Sequence, residues 1–273
     1  MRFFTRLKNS TKLIRKRFLY RMKMRLKYYL NRQSKDPVFI VATRRSGSNL
    51  LLDYLKSIPN TSFKAEILNS RMSYGIRRRF ISKRTVLRHI AHSINYSEHR
   101  IFGTKLISSQ MQTHGIVLQD LKNLFPSVRF IILYRQSLLD QFISLKIAEK
   151  TNVWQWIDNG FLLPDSIDID LHELNCFCGE VKTFYEGILA SSWLRERSLI
   201  ISYEELVSDP HGLFNRSVFP FLDVSASRIW SVTKKQNNKR PFEIVNQYEK
   251  LKKLINEESL TQDYSFRQEA VVV

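Results

Sequence analysis

Only two of the 273 residues are cysteine, Cys176 and Cys178, too few to frame a fold with disulfides or to build a cysteine-rich structural zinc site. A C-x-C pair is also too tight for an ordinary disulfide, so a reducing, cytoplasmic setting is expected and both thiols read as core residues. No run approaches the roughly 20 apolar residues that cross a bilayer, and Met1 to Leu30 lacks the apolar stretch of a secretory signal, so export is not expected. Acid is missing altogether from the first 35 residues, which hold 13 Lys and Arg. The remainder carries 31 basic against 25 acidic residues, so most of the formal charge of +19 belongs to the N-terminus. What is present in quantity is apolar surface: 43% hydrophobic residues support one large α/β domain and rule out a disordered tail.

Within the acid-free segment, Phe3, Phe4, Leu7, Ile14, Phe18, Met22, Leu26, Tyr29 and Leu30 recur mostly at steps of three, four or seven between cations. This spacing predicts a basic amphipathic helix over residues 1–35, followed by a body over 36–273. Two readings fit the helix: a docking face for the inner, anionic membrane surface, or a solvated helix against the body.

The body opens with Pro37-Val-Phe-Ile-Val-Ala42, a short apolar run that predicts a strand buried on both faces. Thr43-Arg-Arg-Ser-Gly-Ser-Asn49 follows at once, then the apolar-periodic Leu50 to Lys56. A strand, a polar glycine turn and a helix in immediate succession aim backbone N–H groups and the positive helix end into one small volume, where a tetrahedral oxyanion binds. Gly47 is the turn's single glycine and no Lys-Ser or Lys-Thr pair follows it, so the nucleoside-triphosphate loop of a magnesium-dependent kinase is not present. A second junction of this kind runs from Val128-Arg-Phe-Ile-Ile-Leu-Tyr134 into Arg135-Gln-Ser-Leu-Leu-Asp-Gln-Phe-Ile-Ser144. Ligands of open parallel sheets bind at the strands' carboxyl ends, so both turns are expected to converge on one ligand with two separated charges.

The turns V-A-T-R-R-S-G-S-N-L and F-I-I-L-Y-R-Q-S-L-L-D-Q-F-I-S-L resemble the two phosphate-handling elements of sulfotransferases that use 3′-phosphoadenosine 5′-phosphosulfate (PAPS). Phe102-Gly-Thr-Lys-Leu106, Ile200-Ile-Ser-Tyr-Glu-Glu-Leu-Val-Ser-Asp-Pro210 and Lys234-Lys-Gln-Asn-Asn-Lys-Arg-Pro241 are similar to later segments of the family, the last to its bacterial carbohydrate branch, which includes nodulation-factor and trehalose sulfotransferases. The resemblance spans about Asp36 to Leu254. It implies a three-layer α/β fold with a central parallel sheet of about five strands, P-loop NTPase-like in topology. Arg45, Ser46, Gly47, Ser48 and Asn49 would hold the 5′-phosphosulfate, and Arg135 with Ser144 the 3′-phosphate. Ser144 stands nine residues after Arg135 where many members have eight, which leaves Ser137 as a substitute.

In-line attack by a hydroxyl on sulfur builds charge on the leaving oxygen and releases a proton. Arg45 meets the first need, and Lys105 is assigned to the sulfuryl oxygens. Glu66, within Ser62-Phe-Lys-Ala-Glu-Ile-Leu-Asn69, resembles the branch's general base; its other reading is an ion-pair partner of Lys64 or Arg71. His114 is the rival base. No metal is required, because arginines and amides handle the anions. The resemblance implies a carbohydrate or glycolipid acceptor, on which Trp154 and Trp156 would stack unless they are buried anchors. Arg71, Arg77, Arg78, Arg79, Lys83, Arg84 and Arg88 fall in a span without acid from Ile67 to Ser97, either an anionic-acceptor surface or a solvated face. A noncatalytic PAPS-binding relative remains as an alternative. A nucleic-acid-binding protein ranks behind both, because the charge is concentrated in one helix and the body lacks a basic stripe interleaved with aromatics.

Overall fold

The computed structural model describes residues 35–70, 72, 75, 76, 81–95, 97–155, 164–233, 241–246 and 248–257, together with Leu19 and Met22. The expected basic helix over 1–35, Arg71, Arg77 to Arg79, Trp156 and the segment Lys234 to Arg240 therefore lie outside the described residues, entirely or nearly so.

Five parallel strands form one sheet in the order β2-β3-β1-β4-β5. They are β1 (Asp36–Ala42), β2 (Thr61–Glu66), β3 (Ile101–Ile107), β4 (Arg129–Tyr134) and β5 (Ser198–Ser202). β1 is central, as its unbroken apolar run requires: Val38 to Ala42 are wholly buried. Val38, Ile40 and Ala42 face one layer and Phe39 and Val41 the other, following the two-residue period of a strand. The first layer contains α1 (Ser48–Lys56) and the helical turns from Pro210 to Leu222. The second contains α2 (Lys83–Asn95), α3 (Ser108–Thr113), α4 (Leu118–Leu124), α5 (Leu138–Thr151), α6 (Leu171–Leu189) and α7 (Ser192–Glu196). This is the three-layer α/β architecture expected.

Local chemistry sets the helix starts nearest the strand ends. Ser137 caps α5 by accepting the Asp140 N–H at 3.2 Å, and Asp170 caps α6 by accepting the Glu173 N–H at 2.8 Å. The acid-rich run from Asp165 to Asp170 thus ends in a helix cap. α8 (Tyr203–Ser208) begins in a capping box, in which Ser202 and Glu205 each satisfy the other's backbone.

One irregularity matters for the site. Lys64 pairs with Thr104 but Glu66 pairs with Lys105, so Ala65 is an extra residue bulged out of β2. The bulge shifts side-chain parity by one position and brings Glu66 beside Lys105.

The candidate donor and acceptor site

The strand ends that face α1, α5 and α8 gather most of the residues singled out above. The turn after β1 is tight: Arg45 has φ 63° and Gly47 has φ 89°. Only glycine fits at 47, since a Cβ there would stand 2.3 Å from Tyr203 Cδ2. Ser46 is fully buried and its hydroxyl donates to the Thr43 carbonyl at 3.0 Å. Beneath the turn, Gln141 of α5, 0% exposed, donates to Thr43 Oγ1 at 2.8 Å and to the Arg44 carbonyl at 2.5 Å. Tyr185 of α6 accepts the Thr43 N–H at 3.2 Å and donates to the Leu133 carbonyl at 2.6 Å. One phenol therefore ties the end of β1 to the end of β4.

Arg45 Nε donates to Ser144 Oγ at 3.1 Å and Nη1 to the Trp154 carbonyl at 2.6 Å. Burial and the neighbouring Arg135 push its pKa down to about 10, against a smaller opposing effect of Tyr203. It is protonated at neutral pH, a desolvated cation beside a second cation. The Arg135 guanidinium lies over the Tyr203 ring, 4.7 Å from its centre, and Arg135 Nε is buried with no hydrogen-bond partner among the described residues. Tyr203 thus separates the glycine turn from Arg135, packing on both. Ser144, expected to share a phosphate with Arg135, instead meets Arg45. Ser137, its proposed substitute, is engaged as the α5 cap.

Farther along the sheet edge, Lys105 is 2% exposed and forms a 3.0 Å ion pair with Glu66 Oε1. It also donates to Asn49 Oδ1, which links this pair to the first turn of α1. Glu66 Oε2 accepts from Asn69 at 2.7 Å and from Gln110 at 2.6 Å. Burial raises the Glu66 pKa, but the Lys105 charge and the three donors outweigh it, so the net direction is downward. Burial lowers Lys105, with Glu66 opposing. The carboxylate is ionised at neutral pH, and three of its roughly four acceptor positions are occupied. Its ion-pair partner among the described residues is Lys105 rather than Lys64; Arg71 lies outside the described residues. His114 is elsewhere engaged, its Nε2 lying 3.3 Å from the Leu68 carbonyl.

Two further readings are settled. Cys176 is exposed, 3.8 Å from His172 Nε2, while Cys178 alone is buried; helical periodicity turns two residues separated by one to different sides. Trp154 is 40% exposed, so it is no buried anchor. Tyr203, within the Ile200 to Pro210 segment, packs against both turns. Gln141, Tyr185, Asn69 and Gln110 were not singled out; a lone Gln within the apolar Leu-Leu-Asp-Gln-Phe-Ile run is the one signal that marks any of them.

Residues 37–227 match the family profile described as the sulfotransferase family. The chain belongs to that family. It is a transferase enzyme, and sulfotransferases of this family use PAPS as donor. A sulfotransferase crystal structure from Alicyclobacillus acidocaldarius is 15% identical, over 83% of this chain and 91% of that one, with a TM-score of 0.49. A mouse sulfotransferase complexed with PAP is 14% identical, over 76% of this chain and 65% of that one, with a TM-score of 0.44. A sulfotransferase of Mycobacterium tuberculosis is 12% identical, over 78% of this chain and 75% of that one, with a TM-score of 0.45. Comparison with curated proteins gave no match. Among the described residues of this sulfotransferase no helix is long and apolar enough to cross a membrane, and no three His, Cys, Asp or Glu side chains cluster as metal ligands do.

Proposed function

We propose that this sulfotransferase transfers the sulfuryl group of PAPS to a hydroxyl of a carbohydrate or glycolipid, without a metal. The observation that carries the donor assignment is the pair of cations at adjacent strand ends, Arg45 and Arg135, one partly desolvated and the other with a buried, unpartnered Nε. Buried polar atoms without partners are rare and costly, and a doubly anionic nucleotide satisfies both cations at once. The chain's own groups thus fit the donor. Arg45 and the amides from Ser46 to Asn49 would hold the 5′ end, and Arg135 the 3′-phosphate, with Ser144 orienting Arg45 rather than binding phosphate directly. When bound, PAPS supplies an electrophilic sulfur and an anionic leaving group.

The protein's part is to orient the acceptor and to take its proton. Glu66 retains one acceptor position on Oε1, next to Lys105. It is the base of this reading; Lys105 keeps it ionised and, through Asn49, places it relative to the α1 start. A carboxylate so well supplied with donors is a weak base, which suits a step in which proton loss lags bond formation to sulfur. The exposed indole of Trp154, whose carbonyl holds Arg45, supports a carbohydrate acceptor, since aromatic faces stack on the apolar faces of sugar rings.

The test is thermal. At a concentration one hundred times Kd, PAP stabilises the native state by about 2.7 kcal/mol, roughly 5–11 °C in Tm for a domain of this size. Arg135→Ala is expected to abolish that shift while leaving the unliganded Tm within a few degrees. A wild-type protein that PAP does not stabilise, or an Arg135→Ala variant with the full shift, sinks the assignment. Incubation with labelled PAPS and a panel of glycans then identifies the acceptor.

A further inference from the structure

Arg45 is a long side chain on a residue with left-handed backbone geometry, so its direction depends on what its guanidinium meets. Ser144 lies on α5, a packed helix, and needs no further support. The Trp154 carbonyl is different. It belongs to the short stretch after α5, where Asn152 turns the chain away at φ 57°.

The next residue, Gln155, holds that stretch: its Nε2 donates to Thr233 Oγ1 at 2.9 Å. Thr233 Oγ1 in turn donates to Asp53 Oδ2 at 2.5 Å, and the Thr233 N–H reaches the same oxygen at 3.2 Å. Ser231 adds a 3.4 Å bond to Asp53, and the Trp230 N–H meets Ser57 Oγ at 3.2 Å. Asp53 is buried on α1, the helix that begins at the anion-binding turn itself. The contacts therefore close a ring, from the turn through α1 to Asp53, across Thr233 to Gln155, and through the Trp154 carbonyl back to Arg45.

We propose that Thr233, with Asp53 and Gln155, forms a clasp that positions the Arg45 guanidinium in the donor site. A threonine hydroxyl suits the middle of the relay because it has one hydrogen to give to Asp53 and lone pairs left to accept from Gln155. Valine has the same shape and can do neither; serine can do both. The clasp acts through Arg45 and touches neither donor nor acceptor, so Thr233 is a positioning residue. Its meaning for catalysis rests on the donor assignment proposed above, but its structural content does not.

Two measurements on the full chain test it. First, the rate at which phenylglyoxal modifies Arg45 and Arg135 is followed residue by residue by peptide mass spectrometry, without ligand. Thr233→Val is expected to speed modification of Arg45 about five- to tenfold, the scale of losing one well-made hydrogen bond, with Arg135 unchanged and Thr233→Ser like wild type. Second, PAP affinity is measured calorimetrically in a double-mutant cycle. Thr233→Val is expected to weaken PAP about tenfold, but to have no further effect in an Arg45→Ala background. An unchanged Arg45 rate, a parallel rise at Arg135, a serine variant behaving like valine, or additive losses in the cycle each overturn the proposal. If wild type does not bind PAP at all, the donor assignment fails while the modification rates still decide the clasp.

Discussion

Glu66 and Lys105 bear on stability and chemistry in different ways, and substitution separates the two. Glu66→Gln leaves the Lys105 ammonium, 2% exposed, without its counter-charge, and loss of one partner of a buried pair costs about 3–5 kcal/mol. Replacing both, as Glu66→Leu with Lys105→Met, is expected to recover most of that stability, as denaturant midpoints will show. With Glu66 as the proposed base, activity should not recover: turnover is expected to fall by about 10²–10⁴, in the single and the double variant alike. The pH dependence has a definite sign. Because the folded Glu66 pKa lies below its unfolded value, its stabilising contribution is complete above the unfolded carboxylate pKa and is lost as pH falls through the folded one. The acid limb of wild-type stability should therefore flatten in the double variant.

Arg45 titrates at the opposite end. Its folded pKa of about 10 lies below the ordinary arginine value, so the native state binds fewer protons than the unfolded chain between the two, and this residue makes stability rise with pH in that window. A bound anion restores the ordinary affinity for the proton. PAP binding at pH 10 should accordingly take up about half a proton at this residue, and near neutral pH none. Calorimetry in buffers of different ionisation enthalpy measures the difference, and equal values at the two pH settings contradict the assignment of Arg45 to the phosphosulfate end.

At the scale of elements, the turn between β1 and α1 tolerates no side chain at its apex. Gly47→Ala demands left-handed geometry of an L residue and drives its methyl into the Tyr203 ring. Strain of this sort costs about 1–3 kcal/mol, and pushing Tyr203 aside disturbs the support beneath Arg135. The expected result is a lowered Tm together with loss of PAP stabilisation, both read in one thermal scan. Much of this element was legible beforehand: a buried apolar run, a polar turn with one glycine and an apolar-periodic helix fix a strand, a cradle and a helix by local rules alone. Glu66 shows where such rules stop. Its setting depends on one residue bulged out of β2 against β3, a pairing between segments some 40 residues apart, and no local pattern in Thr-Ser-Phe-Lys-Ala-Glu announces it. Ser144 likewise counts correctly along its helix but meets the other arginine, since distance along a chain does not say which of two adjacent cations a hydroxyl will face. Tyr203 and Gln141 depend on the same long-range geometry.

For the whole molecule, the sequence places most of the net positive charge in the first 35 residues and the proposed chemistry in the body. Removal of residues 1–35 is expected to leave turnover of a soluble acceptor within about twofold, because every residue proposed for the site belongs to the body. Adhesion to anionic vesicles or to nucleic acid should weaken steeply, with a smaller dependence on salt, in proportion to the cations removed. Cosedimentation at two ionic strengths reads this directly, and undiminished adhesion of the shortened protein would move the responsible surface to the acid-poor span around α2, where Arg84 and Arg88 are exposed.

The all-parallel arrangement also returns every crossover against the strand direction, over one face of the sheet or the other, so β1 enters at the rim opposite the proposed reacting groups. Seven residues of extended chain put about 20 Å between that entry and the catalytic mouth. A fluorophore, affinity handle or solid support attached just before Asp36 would leave the opposite rim clear for a bulky acceptor, which makes this end of β1 the natural place to immobilise the enzyme.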